Sequence, residues 1–335
     1  RGFRFDVKLL PVEPELKPYG YDLFRRVPTT FAPATDIPVP AEYVLGPGDT
    51  LELQLIGERG GRHTLTVGRD GTVSFPEIGP VAVAGLKFAE AKEMLEQRVA
   101  EQMIGLRASV SMGALRSIQV FVLGEAERPG SYTVSGLSTI TNALFTSGGV
   151  RPIGSLRNIQ LKRNGRLVRR LDLYDLLLNG DTSNDERLLP GDVIFIPPVG
   201  TTVAMTGEIR RPAIYEVNEG AVAAEILNLS GGLTPEADPR TGRLERIDDR
   251  RNRTVLHLDL TTAEGRGTRL QTGDIVHIGP IRDSLEAAVS LDGHVHRAAR
   301  TQFRPGMRLT DLIGSLDELK PLADLRYVLI RRENG

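Results

Sequence analysis

The chain has 335 residues, 40% apolar and 25% charged, with 42 basic against 43 acidic side chains. That composition fits a soluble globular chain of about two to four domains, and it lacks the basic excess of a nucleic-acid-binding protein. Cysteine and tryptophan are absent and aromatics stand at 5%, which excludes disulfides and a thiolate nucleophile and weakens the case for an exposed sugar-stacking platform.

Residues 1–40 hold Pro11, Pro14, Pro18, Pro28, Pro33, Pro38 and Pro40. Proline fixes φ and lacks an N–H, so this stretch is neither a helix nor a central strand. It reads as an extended segment or a linker, and Phe3, Phe5, Phe24 and Phe31 point to packing along another surface. Residues 41–116 read as one small α+β domain. Gly46-Pro47-Gly48-Asp49 forms a turn, and Thr50 to Ile56 alternates apolar and polar as a strand. Asp70-Gly71, between Leu65-Thr66-Val67 and Val73-Ser74-Phe75, predicts a hairpin with a two-residue turn at positive φ. Ala91, Leu95, Val99 and Met103 recur every fourth residue, which predicts an amphipathic helix over 88–103. No apolar run approaches the ~18 residues of a membrane helix.

The rest of the chain repeats itself. Gly124-Glu125, Pro129, Tyr132 and Ser147-Gly148-Gly149 return as Gly207-Glu208, Pro212, Tyr215 and Ser230-Gly231-Gly232, at a constant offset (207 − 124 = 212 − 129 = 230 − 147 = 83). A period this long points to small domains in a row, since solenoid units run about 20–50 residues. The copies span 117–199 and 200–284. Each predicts a strand running into a Gly-Glu corner, a second strand, a short helix (139–146 and 222–229) ended by a Gly pair, and a hairpin. In the first copy that hairpin turns at Asn164-Gly165. The closing elements are Pro190-Gly191-Asp192-Val193-Ile194 and Thr272-Gly273-Asp274-Ile275-Val276. One helix across a mixed sheet is a β-grasp-like plan. A third copy opens at Gly293-His294, 86 residues beyond Gly207 (293 − 207), and stops early. Residues 285–335 are therefore expected to be a partial repeat, and the chain a piece of a longer protein.

These residues carry a resemblance. Tyr43 to Asp49, Asp70 to Pro76 and Ile78 to Leu86 resemble, in order, the polysaccharide export domain of the outer-membrane polysaccharide export family (Wza-like proteins). The repeats resemble that family's soluble-ligand-binding β-grasp, or SLBB, domains. Gly124-Glu125 with Pro129-Gly130, and Pro190-Gly191-Asp192, stand where the family has its Gly-Glu…Pro-Gly and Pro-Gly-Asp hallmarks. The likeness covers about residues 41–335. It implies an α+β chain, an export domain followed by tandem SLBB domains with the third truncated. It further implies a non-enzymatic, periplasmic and outer-membrane-associated protein whose subunits ring a channel for polysaccharide. Its partner would be an inner-membrane chain-length copolymerase or kinase, and its signal and any lipid anchor would lie upstream of Arg1. Ala213 replaces Gly130 in the second copy, His294 replaces the corner Glu in the third, and the pore-forming C-terminal helix of some members is not in this fragment. The rival reading is a monomeric periplasmic saccharide-binding module.

Gly48, Gly71, Gly124, Gly191, Gly207 and Gly273 read as turn and cap residues. Asp49, Asp192 and Asp274 each follow a Gly at the mouth of a strand, as in Asx-type turns. Glu125 and Glu208 complete the corners. Arg240, Arg243, Arg246, Arg250, Arg251 and Arg253, with Glu245, Asp248 and Asp249 among them, form the richest charged stretch. They are either a guanidinium surface for an anionic glycan or partner, or a solvated hairpin. His294 and His296 share one strand face without an evident third ligand, so no metal is expected. No carboxylate pair is marked for glycoside chemistry, and no phosphate- or dinucleotide-binding loop is present, so no cofactor is expected.

Overall fold

The computed structural model describes residues 16–25, 38–57, 60–75, 77–282 and 287–332. It divides into two compact units, Arg1–Pro280 and Ile281–Gly335. Among the described residues no helix is long and apolar enough to cross a membrane.

The first domain runs β1 (Thr50–Ile56), β2 (Gly61–Thr66), β3 (Thr72–Phe75), β4 (Gly79–Ala82), α1 (Phe88–Gln102) and β5 (Arg107–Met112). Strand β1 lies between β2 and β5, antiparallel to both. Leu51, Leu53 and Leu55 share one core with Ala91, Leu95 and Val99, the buried stripe of α1. The hairpin expected across Asp70-Gly71 does not form. Gly71 has φ +81° as the turn requires, and its N–H reaches the Gly68 carbonyl at 3.0 Å. Strand β2 is nevertheless paired with β1, and β3 pairs with β4. Asp70 explains part of this. Its carboxylate accepts the Thr72 N–H (3.2 Å) and hydroxyl (2.9 Å), which fixes a local Asx turn and redirects the chain.

The two repeats have one plan. The first is β6 (Ser117–Gly124), β7 (Gly130–Ser135), α2 (Ile140–Thr146), β8 (Ile159–Arg163), β9 (Arg166–Leu171) and β10 (Val193–Ile196). Its sheet order is β7-β6-β10-β8-β9. The second is β11 (Thr201–Gly207), β12 (Ala213–Val217), α3 (Ala223–Leu229), β13 (Gly242–Ile247), β14 (Arg253–Leu258), α4 (Ala263–Arg266) and β15 (Ile275–Ile278), ordered β12-β11-β15-β13-β14. In each, the closing strand pairs parallel with the first strand and antiparallel with the hairpin. Helices α2 and α3 start 83 residues apart (223 − 140). Asn164 and Gly165 both have positive φ, 51° and 76°, as a primed turn demands. Alternation sets the core: Ile118, Val120 and Val122 face Ile140, Ala143 and Leu144 of α2.

The second unit holds β16 (Ala288–Leu291) antiparallel to β17 (Ala299–Gln302). Val295 bridges Leu319 just as Ile209 bridges Leu233 and Ala126 bridges Val150.

The described part of the N-terminal segment is a strap. Lys17–Tyr19 extends the free edge of β12: the Tyr19 N–H reaches the Ile214 carbonyl at 2.8 Å, and the Ile214 N–H reaches the Lys17 carbonyl at 3.0 Å. One 3₁₀ turn, Tyr21–Phe24, follows and buries Phe24, a departure from a wholly extended course. Phe3, Phe5 and Phe31 lie outside the described residues.

Candidate functional site

The aspartates at the strand mouths are buried and alike. Asp192 accepts the Leu189 N–H at 2.8 Å and a two-pronged contact from Arg163, 2.8 Å on each side. Asp274 accepts the Gln271 N–H at 2.8 Å and Arg246 at 2.9 and 2.6 Å. Asp49 accepts the Gly46 N–H (2.9 Å), the Tyr43 hydroxyl (2.8 Å), and the Arg116 N–H (2.8 Å) and guanidinium (3.2 Å). Each carboxylate thus closes its own turn and holds an arginine from elsewhere in its domain, Arg163 of β8, Arg246 of β13 and Arg116 just before β6. The hydrogen bonds to Asp192 and Asp274 hold the Arg163 and Arg246 guanidiniums above the ordinary arginine value.

The Gly-Glu corners join each first strand to its closing strand. A Cβ at Gly124 would lie 2.1 Å from the Ile196 carbonyl oxygen, and one at Gly207 2.0 Å from that of Ile278, so only glycine fits. The next N–H bonds that same carbonyl, from Glu125 at 2.9 Å and from Glu208 at 2.8 Å. The carboxylates then fasten the loop after the helix, Glu125 to Arg151 at 3.4 Å and Glu208 to the Thr234 hydroxyl at 2.8 Å.

The six arginines of the charged stretch do not converge. Arg246 is engaged by Asp274, Arg240 pairs with Asp238 (3.0 Å) and Arg243 with Glu245 (3.2 Å). Arg250, Arg251 and Arg253 stand exposed at the β13–β14 turn. Asp248 caps that turn through the Arg250 and Asn252 N–H groups, at 2.9 and 2.8 Å. Asp248 and Asp249 form no catalytic pair there. His294 meets the Pro321 carbonyl at 2.9 Å. No cluster of three or more side chains fit to hold a metal occurs among the described residues.

Sequence reasoning missed a buried polar junction between the repeats. Glu216 on β12 accepts backbone N–H groups from Leu156 (2.9 Å), Arg157 (3.3 Å) and Gly200 (3.0 Å). Arg157 bonds Asp172 (2.9 Å), Glu225 (3.5 Å) and the Glu216 carbonyl (3.3 Å), and lies 5.1 Å from the Tyr174 ring centroid. Burial pushes the Asp172 carboxyl above its usual range, against the pull of Arg157. The strap closes over this junction. The Tyr19 ring centroid is 5.3 Å from that of Tyr174 in the first repeat and 5.1 Å from that of Tyr215 in the second. The Tyr21 hydroxyl donates to the Gly154 carbonyl at 2.6 Å. One signal was available: Glu216 stands in an otherwise apolar strand where the first copy has Thr133 (216 − 83).

Comparison with known proteins places these domains. Residues 37–113 match the family model of polysaccharide biosynthesis/export proteins, and residues 118–196 and 202–256 match SLBB domain models. Over 183 residues the chain is 29% identical to the polysialic acid transport protein KpsD of Escherichia coli, covering 54% of this chain and 33% of KpsD. Over 240 residues it is 27% identical to the EPS I polysaccharide export outer membrane protein EpsA of Ralstonia nicotianae, covering 69% of this chain and 63% of EpsA. A 90-residue stretch is 32% identical to the exopolysaccharide production protein ExoF of Rhizobium meliloti, covering 26% of this chain and 21% of ExoF. The chain therefore spans about a third of KpsD and under two thirds of EpsA.

Proposed function

We infer that this chain, a member of the polysaccharide export family built as an export domain followed by SLBB domains, is a structural part of a machine that exports exopolysaccharide or capsule. It works in the periplasm in association with the outer membrane, by assembling into a ring around the passing polymer and without covalent chemistry. The domains are residues 41–116 for export, 117–199 and 200–284 for the SLBB pair, and 285–335 for the start of a third. An inner-membrane chain-length copolymerase or kinase hands over the polymer. The exposed arginines at the β13–β14 turn, Arg250, Arg251 and Arg253, face a partner or an anionic glycan.

One observation carries this reading: export and SLBB domains stand in order in a chain related to proteins named for polysaccharide transport and export. The geometry agrees with it. The recurring Asp, Glu, Gly and Arg residues are engaged in holding each repeat together, so what the molecule offers outward is surface and sheet edge. A ring needs a heterologous interface that closes. Analytical ultracentrifugation of the chain extended through a complete third repeat, with and without membranes, tests it. A closed oligomer of defined size is expected, with the present chain monomeric when dilute. A monomer under all conditions that binds free oligosaccharide tightly would replace the ring with a binding module.

A further inference from the structure

Each repeat carries its helix on one sheet face; the first repeat leaves the other face open, whereas in the second Thr206 and Glu216 on that face are buried. In the first repeat that open face is apolar and cationic. Ile118, Val120 and Val122 point to the core, so Phe121 and Leu123 point away from it, and they are 36% and 38% exposed. Val193 pairs with Phe121 and Lys162; Phe195 pairs with Leu123 and Gln160; Gln160 pairs with Arg170. The Lys162 ammonium sits 4.5 Å from the Phe195 ring centroid. Phe121 and Phe195 thus lie outside both hydrophobic cores, beside Lys162 and beside Gln160, whose amide also reaches the Asn158 side-chain carbonyl at 3.5 Å.

The second repeat shows that the fold does not require this. At the equivalent positions it has Ala204 for Phe121, Thr206 for Leu123, His277 for Phe195 and, by the same strand pairing, Glu245 for Lys162 and Arg243 for Gln160. The phenyl rings are gone and the central cation has become an anion, yet the sheet order is unchanged. The duplicate therefore separates what the sheet needs from what the first copy adds.

We propose that this open face of the first SLBB sheet binds an acidic saccharide unit of the exported polymer. The proposal rests on the export reading and names the chemistry of its cargo. The Phe121 ring takes the C–H face of a pyranose, Lys162, held over the Phe195 ring, and Arg170 take its carboxylate through charge-assisted contacts, and Gln160 serves the hydroxyls. A neutral sugar gains only the stacking. One such face per subunit gives a ring many weak sites for one long chain, which holds it by multivalency without stopping it.

The test transplants the second repeat's own residues: Phe121→Ala, Leu123→Thr, Phe195→His and Lys162→Glu together. Hexagalacturonate and maltohexaose are titrated by calorimetry into the unmodified chain and the variant, with thermal unfolding and sedimentation run beside them. The unmodified chain should bind hexagalacturonate in a salt-sensitive way, about tenfold or more tighter than maltohexaose. The variant should lose about tenfold in hexagalacturonate affinity at unchanged sedimentation, and Phe195→His alone should lose part of it. Equal affinity in the variant, equal affinity for the neutral sugar, or no binding by the unmodified chain overturns the proposal. So does a variant altered only in its state of association, which would make the face a contact between copies. Ring formation by the extended chain is read separately, so the cargo can fail while the ring stands.

Discussion

Phe24 packs onto the bare Cα of Gly149: a Cβ built there would come within 2.1 Å of the Phe24 Cγ. Gly149 has φ +96°, and its counterpart 83 residues on (232 − 149), Gly232, has φ +86° with nothing within 4 Å of the same Cβ. The duplication supplies its own control, because backbone strain is common to both glycines and only one has the strap above it.

Gly149→Ala should therefore destabilise more than Gly232→Ala. Both incur the left-handed penalty, roughly 1–2 kcal/mol, and Gly149→Ala also evicts Phe24, whose burial is worth about 1.5–3 kcal/mol. Limited proteolysis should cut the strap early in Gly149→Ala and not in Gly232→Ala. Equal stability and equal cleavage would show that the strap does not depend on this contact.

Arg163→Met should cost about 2–4 kcal/mol, since it leaves the fully buried Asp192 carboxylate with the Leu189 N–H alone. The double variant Asp192→Ala/Arg163→Met should cost clearly less than the two single changes summed. Urea unfolding measures all three, and strict additivity would deny the coupling.

Burial pushes the Tyr215 hydroxyl up to about 12, and burial also raises Tyr21, Tyr43 and Tyr174. A raised phenol favours the neutral form in the fold. Its stabilising contribution is complete below the ordinary value of 10.0 and is lost as pH climbs through the folded value. Stability should fall between about pH 10 and 12, and these four of the seven tyrosines should ionise together with the loss of secondary structure. A single smooth phenolate titration near pH 10 with the fold intact would contradict this.

In the export domain, Gly71→Val should cost on the order of 1–2 kcal/mol because φ is +81° and the new Cβ would meet the Ala84 Cβ at 2.9 Å. Ser74→Ala, on an exposed position of β3, should stay within about 0.5 kcal/mol. Similar melting shifts would remove the turn's role.

Much of this architecture could be read from spacing. The offset of 83 residues located both repeats, and the Asn164-Gly165 hairpin and the i+4 stripe of α1 followed from local rules. The Asp70-Gly71 hairpin failed because a turn signal specifies positive φ, not which strand the next segment will join. The arginines of the charged stretch were seen as one group because they adjoin in sequence. On a strand, neighbours point to opposite faces, so Arg246 reaches the buried Asp274 while Arg243 stays with Glu245. The open face of the first repeat was hidden for the converse reason. Phe121 joins Lys162 and Phe195 only through a parallel pairing between the first and last strands of the unit, and no local rule predicts that pairing.

The strap is synthesised before the repeats it docks on. Tyr19 has only the Tyr174 half of its seat until β12 exists, 196 residues later (215 − 19), which at ~5–20 residues per second is roughly 10–40 s on the ribosome. Strand β6 likewise waits for β10 before its sheet can close. Phe24 and Tyr21 can seat at Gly149 and Gly154 once the first repeat has folded, so the strap docks in two stages, its second half on the first repeat before its first half is completed by the second.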